Sequence, residues 1–420
     1  MLVVGSGGRE HAIAWSLSRS AHVKKVYVAP GNGGTFNINV PIPSNDIPAL
    51  FDFARKNDCL TVVGPEVPIS LGIADYFQRG GLEIFCPTRN QARIETSKAY
   101  AKQFMKENSI PTADFEIFSD PSKALEYLKG RSGSVVVKAD GLAAGKGVSV
   151  CDSIEEAKSA IRMMMVDKVF GDAGSTVVVE EKLEGREASL FAICNGRIAI
   201  PFCTAKDHKR LLDGDRGPNT GGMGAYSPST DLGDEIVNEI LEKVMQPVVS
   251  KTGFRGFLYA GLILTSEGPK VLEFNCRLGD PETQAILPRL ESDFFELVEE
   301  AASFSPSSQE SHLDELSPRW SQERHSCCVV MCAEGYPSRP VTGDLIVGIE
   351  KAQALDSVTI FHSATRFDKG SFFTAGGRVL SVTAVAGSLK ESSLKAYEAV
   401  SRIKWRGEYH RRDIGRNEGS

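Results

Sequence analysis

The first ninety residues alternate short apolar runs with helical stretches, and few folds accept that order. "LVVG" (2–5), "KKVYVAP" (24–30), "LTVVGPE" (60–66) and "LEIFCP" (82–87) read as buried strands. A helix is predicted from Arg9 to Ser18, a second near 46–57 and a third before residue 82. Apolar strands separated by helices specify a parallel sheet with crossover connections. Such a sheet binds ligands at the carboxyl ends of its strands. The loops "GSGGRE" (5–10), "APGNGG" (29–34) and "GPE" (64–66) therefore converge on one edge.

The first loop resembles a dinucleotide fingerprint and fails it. G-x-G-x-x-G requires glycine at position 10, where the chain has Glu10. About twenty residues on, where a carboxylate would hold a ribose, the chain has Pro30, Gly31 and Asn32. An oxidoreductase using a nicotinamide cofactor is thereby disfavoured. A phosphate at the helix N-terminus, cradled by Gly5, Gly7 and Gly8, remains physically sound.

"VVVKADGLAAGKGVSV" (135–150) fails a second template. A P-loop needs G-x-x-x-x-G-K-[ST] followed by a helix. Here Asp140 replaces the first glycine, and Gly147 follows Lys146. "VSVC" then alternates like a strand, and "SIEE" from Ser153 reads as a capping box that starts the next helix. The stretch is predicted to be strand, glycine flap, strand. Such a flap brings backbone N–H groups and a lysine onto phosphates by closing over them.

Further on, "VLEFNCR" sets Glu273, Asn275 and Arg277 two residues apart, on one face of a strand whose other face is apolar. A carboxylate beside an amide oxygen suits magnesium, which prefers few protein ligands and completes its shell with phosphate and water. Arg277 could hold a phosphoryl group or a substrate carboxylate bidentately. "VVVEEKL" reads as a strand ending in an adenine hinge. Backbone groups of Glu181 and Leu183 are placed to read the base, and Glu187 to reach a ribose diol. "LGDPET" is expected to start a helix with Asp280 as N-cap and Pro281 at its first position.

Composition narrows the remaining classes. The chain has 420 residues, so two to four domains are expected. A formal net charge of −6 argues against a nucleic-acid surface. Nine cysteines are scattered along the chain: 59, 86, 151, 194, 203, 276, 327, 328 and 332. "HSCCVVMCA" matches no metal spacing and reads as a buried strand of reduced thiols. No leader pattern is found and no apolar run approaches about 18 residues, so the cytosol is the expected compartment and no membrane is involved.

Lys98, Lys138, the flap with Gly145 and Lys146, the hinge Glu180–Leu183 and the row Glu273–Asn275–Arg277 follow in the order of an ATP-grasp enzyme. "VGSGGREHA", "APGNGGT", "VVGPE", "KADGLAAGKGV", "FGDAG", "DHKR", "GPNTGGMGAYSP", "GFLYAGL", "EFNCRLGDPETQ" and "GGRVL" together resemble the phosphoribosylamine–glycine ligase family, from residue 3 to about 415. The resemblance implies a multidomain fold of α/β and α+β type. Residues 1–90 form a Rossmann-like parallel sheet and 91–303 an ATP-grasp core whose mobile lid covers about 119–190. The Ser- and Pro-rich stretch 304–326 is a linker, and 327–420 form a small β-rich α+β domain.

It also implies ATP and Mg2+ (or Mn2+) as cofactors, and glycine and phosphoribosylamine as substrates. No nucleic acid takes part, and a monomer or weak homodimer is expected. Lys98, Lys138, Gly145, Lys146, Glu180, Glu181, Leu183 and Glu187 would bind nucleotide, and Glu273 and Asn275 the metal. Arg277, Asp280 and Asp207 would be catalytic, with Gly7, Gly8, Arg9, Glu10, Asn32 and Glu66 on the substrate. Many ATP-grasp enzymes carry another acidic ligand on the preceding strand. "AGLILT" has none, so two protein ligands are expected. Animal relatives fuse this unit to later purine-pathway domains, and this chain stops near "RRDIG", so a monofunctional enzyme is expected. The alternatives are another ATP-grasp carboxylate–amine ligase and a catalytically dead ATP-binding regulator.

Overall fold

The computed structural model describes residues 1–143, 147–303, 317–321 and 324–416. Its N-terminal sheet is parallel, in the order Tyr27–Pro30, Leu2–Gly5, Thr61–Val63, Ile84–Phe85. Leu2 and Val4 enter one core while Val3, Val28 and Val62 enter another, so both faces are covered. That burial explains why these strands lack a polar alternation. The three glycine-bearing loops leave from the same edge, as predicted.

Residues 115–181 build a second, antiparallel sheet in the order Phe115–Phe118, Val177–Glu181, Val135–Ala139, Val148–Cys151. Val135, Val137, Val177 and Val179 point into a core shared with the helices Pro121–Lys129 and Ile154–Ile161. The opposite face carries Lys138 and Glu180. This lid sheet starts before residue 119 and closes before residue 190. The expected lid boundaries therefore move upstream, because Phe115–Phe118 pairs with Val177–Glu181 and the strand from Arg186 belongs to a different sheet.

That third sheet has eight strands, ordered Gly268–Asn275, Arg255–Thr265, Arg186–Asn195, Ala199–Asp207, Gly224–Ser227, His325–Cys332, Arg378–Ala386, Val358–His362. Its last three strands come from the C-terminal region, joined by antiparallel pairing of Gly224–Ser227 with His325–Cys332. The C-terminal part thus continues the central sheet. Of the expected linker, 304–316 lie outside the described residues, while Trp320 is anchored edge-on to Phe202 at 5.0 Å. The run Ser326–Cys332 is buried throughout, as the strand reading of "HSCCVVMC" required. No helix among the described residues is long and apolar enough to cross a membrane.

The C-terminal region also closes on the N-terminal one. His11, on the helix Gly8–Leu17, accepts at Nδ1 a 2.9 Å hydrogen bond from the His362 backbone N–H. His362 Nδ1 lies 3.0 Å from Thr365 Oγ1. Burial lowers His11 to about 4, and burial plus its neighbour His11 lowers His362 to about 3. The unfolded chain protonates near 6.5, so between these values it binds more protons than the folded one. Stability is therefore complete above about pH 6.5 and drains away as pH falls. For His11 the loss by pH 4 is about 3 kcal/mol. Denaturant melts from pH 7 to 4 should show it, and His11→Asn should flatten the slope.

Candidate active site

The first half of the site is the glycine corner of the N-terminal sheet. Gly7 precedes the helix Gly8–Leu17, and the Glu10 carboxylate reaches back to accept the Gly7 N–H at 2.5 Å. Its other oxygen accepts from Arg9 Nε at 2.6 Å. Space for this carboxylate exists only because its neighbours lack side chains. A Cβ at Gly64 would stand 1.9 Å from Glu10 Oε1, and one at Gly5 2.5 Å from Glu10 Cγ. Glu10, 2% exposed, therefore braces the loop and is not open to a ligand. The carboxylate expected on the substrate thus faces its own loop.

Arg9 is likewise committed. Its Nη1 donates to the Leu278 carbonyl at 3.2 Å, tying the first domain to the core. Asn32 Nδ2 donates to the carbonyls of Ser6 and His362, both at 2.8 Å, while its Oδ1 accepts from Gly34 N–H. Its amide thus fastens two loops and a C-terminal strand. With Gly7 N–H taken, the amides of the next residues in the first turn are those left for an anion, since a helix offers them no internal partner.

The second half lies between the lid sheet and the eight-stranded sheet. Lys138 projects from the lid, ion-pairs with Glu180 and donates to the Leu272 carbonyl at 3.0 Å. Glu180 also meets Lys102 Nζ at 2.5 Å, and Lys102 donates to Thr112 Oγ1 at 2.7 Å. Burial lowers Lys102 to about 8 in spite of Glu180. Lys98 donates to the Gly141 carbonyl at 3.3 Å. Its pKa is lowered by burial and by Lys138, against the pull of Glu273. Asp140, the residue that broke the P-loop pattern, holds Ser97 Oγ at 2.8 Å and Ala99 N–H at 2.7 Å. It docks the loop on the helix Lys98–Glu107. The described ends of the flap pair as predicted, with Ala139 N–H on the Gly147 carbonyl. Gly145 and Lys146 lie outside the described residues.

At the hinge, the Glu180 carboxylate is locked between two lysines, which leaves it no part in reading a base. Of the Glu181 backbone groups, the N–H is taken, donating to the Asp114 carbonyl at 3.0 Å. The strand ends at Glu181, and Leu183 follows just beyond it. Glu187 is half exposed, with an oxygen 4.0 Å from Lys209 Nζ.

The carboxylate row faces these lysines. Burial acts to raise the Glu273 carboxyl, but Lys209, Lys138, Lys98 and Arg277 together hold it below the ordinary range. Lys209 Nζ sits 3.9 Å from Glu273 and 3.8 Å from Asp207. Asp207 is raised by burial and by Glu187 and Glu273, despite Lys209. Asn275 Oδ1 accepts from Arg277 Nη2 at 3.1 Å. Arg277 also meets Glu95 at 3.1 Å and Glu66 at 3.3 Å, and these carboxylates outweigh burial to raise its pKa.

Asp280 is not an N-cap. The helix begins at Glu282 after Pro281, and Asp280 makes no capping bond. Its carboxylate instead accepts from Gln284 Nε2 at 2.7 Å and pairs with Arg378 at 3.0 Å. A Cβ on Gly7 would stand 3.2 Å from Asp280 Oδ2, so the two halves of the site share this wall.

Glu273 and Asn275 are a sparse donor pair set among cations. Among the described residues, the cluster of three metal-type side chains is His22, Asp293 and Glu296, which does not include this pair. An anionic oxygen beside a neutral one, with lysines all round, fits magnesium arriving with a polyphosphate and does not fit a bare ion.

An antiparallel lid over a central sheet, with lysines and a carboxylate row facing across the cleft, defines an ATP-grasp protein. Family models for phosphoribosylglycinamide synthetase match in three consecutive parts: the N domain over residues 1–95, the ATP-grasp (A) domain over 96–283 and the C domain over 326–417. The chain belongs to the phosphoribosylglycinamide synthetase family. It is 47% identical over 425 residues to a phosphoribosylamine–glycine ligase from Ralstonia nicotianae, covering 99% of this chain and 98% of the relative. The crystal structure of a phosphoribosylamine–glycine ligase from Thermotoga maritima superposes with TM-score 0.81 at 34% identity, covering 98% of this chain and 99% of that one. A biotin carboxylase from Campylobacter jejuni, solved with a β,γ-ATP ligand, shares the fold at TM-score 0.73 and 14% identity, over 97% of this chain and 92% of that one.

Proposed function

We propose that this chain is an ATP-dependent ligase that joins glycine to 5-phosphoribosylamine, giving glycinamide ribonucleotide, ADP and phosphate in purine biosynthesis. The observation that carries the reading is the shared wall. Asp280 lies three residues beyond Arg277, and its Oδ2 would stand 3.2 Å from a Cβ on Gly7, so one loop borders both the lysine- and arginine-lined cleft and the helix start at Gly7.

In this reading the base lies at the hinge, with Leu183 N–H as a donor and Glu187 toward the ribose. Lys98 and Lys138 hold the phosphates, Lys138 being fixed in place by Glu180 and Leu272. Glu273 and Asn275 hold magnesium, with manganese as the alternative hard cation; when bound it draws off charge that develops on the phosphoryl group. Arg277, oriented by Glu95 and Glu66, faces the phosphoryl acceptor, the glycine carboxylate. The acyl phosphate so formed is attacked by the amine of phosphoribosylamine, whose phosphate sits on the free amides after Gly7. Closure of the lid keeps water from the acyl phosphate. The nine cysteines are all free thiols, which suits a reducing compartment such as the cytosol.

Phosphate release, measured with ATP, magnesium, glycine and phosphoribosylamine and with each omitted in turn, tests the reading. Full release should need all four. Release supported equally by another amino acid or amine would reassign the chain to a different ATP-grasp carboxylate–amine ligase.

A further inference from the structure

Glu282 is a buried carboxyl to which the reading above gives no task. It opens the helix Glu282–Ile286 and is 5% exposed. Among the described residues, no side chain gives it a hydrogen bond or an ion pair, whereas Asp280 and Glu95 are both paired with arginines. Its carboxyl folds over Gly279, where a Cβ would stand 2.4 Å from Glu282 Oε2 and 2.7 Å from Oε1. Any side chain at 279 would therefore displace it.

The charged and titratable groups that act on Glu282 come from every side of the cleft. Asp207 and Lys209 lie at the end of one strand, Tyr259 on another, Arg277 on the loop before the helix and Arg378 on the C-terminal sheet. Glu282 thus feels both the cations of the phosphate cleft and Arg378, whose partner Asp280 abuts Gly7.

We propose that the Glu282 carboxylate takes the proton from the acceptor amine as the amide bond forms, an inference that rests on the ligase reading. The amine nitrogen bonds to the acyl carbon, and the carbon–oxygen bond to the phosphoryl group breaks. One amine proton passes to Glu282, which returns it to the departing phosphate. A base needs a proton affinity near the working pH to serve in both directions. Burial, then Asp207, raise Glu282 to about 7. Asp207 itself is less suited, because Lys209 stands against it at 3.8 Å.

The test separates the two half-reactions. Wild type and Glu282→Gln are given ATP, magnesium, glycine and hydroxylamine, which traps an acyl phosphate as its hydroxamate without an enzymic base. Each is then assayed for the full reaction with phosphoribosylamine. The variant should make hydroxamate at close to the wild-type rate and lose about a hundred- to ten-thousandfold in the full reaction. The wild-type kcat/KM for phosphoribosylamine should fall on the acid side with a pKa near neutrality, and that limb should vanish in the variant. Glu282→Asp, which keeps a carboxylate, should retain the limb at reduced rate. Equal losses in both half-reactions, or a wild type lacking the acid limb, would overturn the assignment of Glu282. A wild type that traps no hydroxamate with glycine would instead overturn the ligase reading itself.

Discussion

Glu273→Gln should abolish magnesium-supported turnover and leave the fold intact. The substitution keeps the shape of the side chain and removes one negative charge from a group that faces four cations. Lys209, Lys138, Lys98 and Arg277 all hold this carboxyl below its ordinary range. In the free protein the charge balances those cations. In the proposed loaded enzyme it would be the hard anionic oxygen of the metal pair, beside the neutral Asn275. Loss of one stabiliser of developing charge costs about a hundredfold or more in kcat. The two roles predict opposite effects on nucleotide binding. Removing the metal ligand weakens binding of magnesium-ATP, while removing the anion from among the lysines strengthens binding of metal-free nucleotide. Calorimetric titration with ATP, with and without magnesium, alongside a steady-state assay, reads both. Turnover within about tenfold of wild type would remove Glu273 from the metal pair.

The elements of this site were legible where the signal was local. Alternation in "VSVC" after the glycine loop, with no helix following Lys146, marked a strand–flap–strand unit rather than a P-loop. The same reasoning found the row Glu273–Asn275–Arg277. Partners drawn from distant sequence were not legible. Glu95 holds both Arg277 and the Cys276 N–H at 2.7 Å, yet it stands 181 residues away from the latter. Arg378 was visible only as part of a motif, and its pairing with Asp280 depends on the C-terminal strands extending the central sheet.

That same pairing explains the misread helix start. A short acidic residue before proline looks like a cap, but an arginine from the next unit competes for it and wins. The bracing role of Glu10 was legible in the sequence. A glutamate three residues after a helix N-cap is the second half of a capping box, and two nearby glycines, Gly5 and Gly64, supply its room. The loop resemblance drew attention to a ligand where the helix end had its own need.

Glu180→Ala should be among the most destabilising substitutions in the chain. The carboxylate is 3% exposed and lies between two ammonium groups, Lys102 at 2% and Lys138 at 7%. Each lysine has one further acceptor, Thr112 Oγ1 for Lys102 and the Leu272 carbonyl for Lys138. Neither neutral acceptor can replace the lost anion, so the variant buries two positive charges side by side. Breaking a buried pair in this way costs about 3–5 kcal/mol. Lys102 can relieve part of the cost by shedding its proton, since its pKa already lies at about 8. Removal of Glu180 lowers it further, so the deficit should shrink as pH rises from 7 to 9. Lys138 would lose its anchor, and the affinity for ATP should fall with the stability. Denaturant melts at pH 7 and pH 9 measure the first effect, and a nucleotide titration below the melting transition measures the second. Adding Lys102→Met should restore stability, because it removes the surplus charge, while leaving ATP affinity low because Lys138 still lacks its partner. Full recovery of ATP affinity in the double variant would mean that Glu180 serves the folding of the lid alone and does not position Lys138.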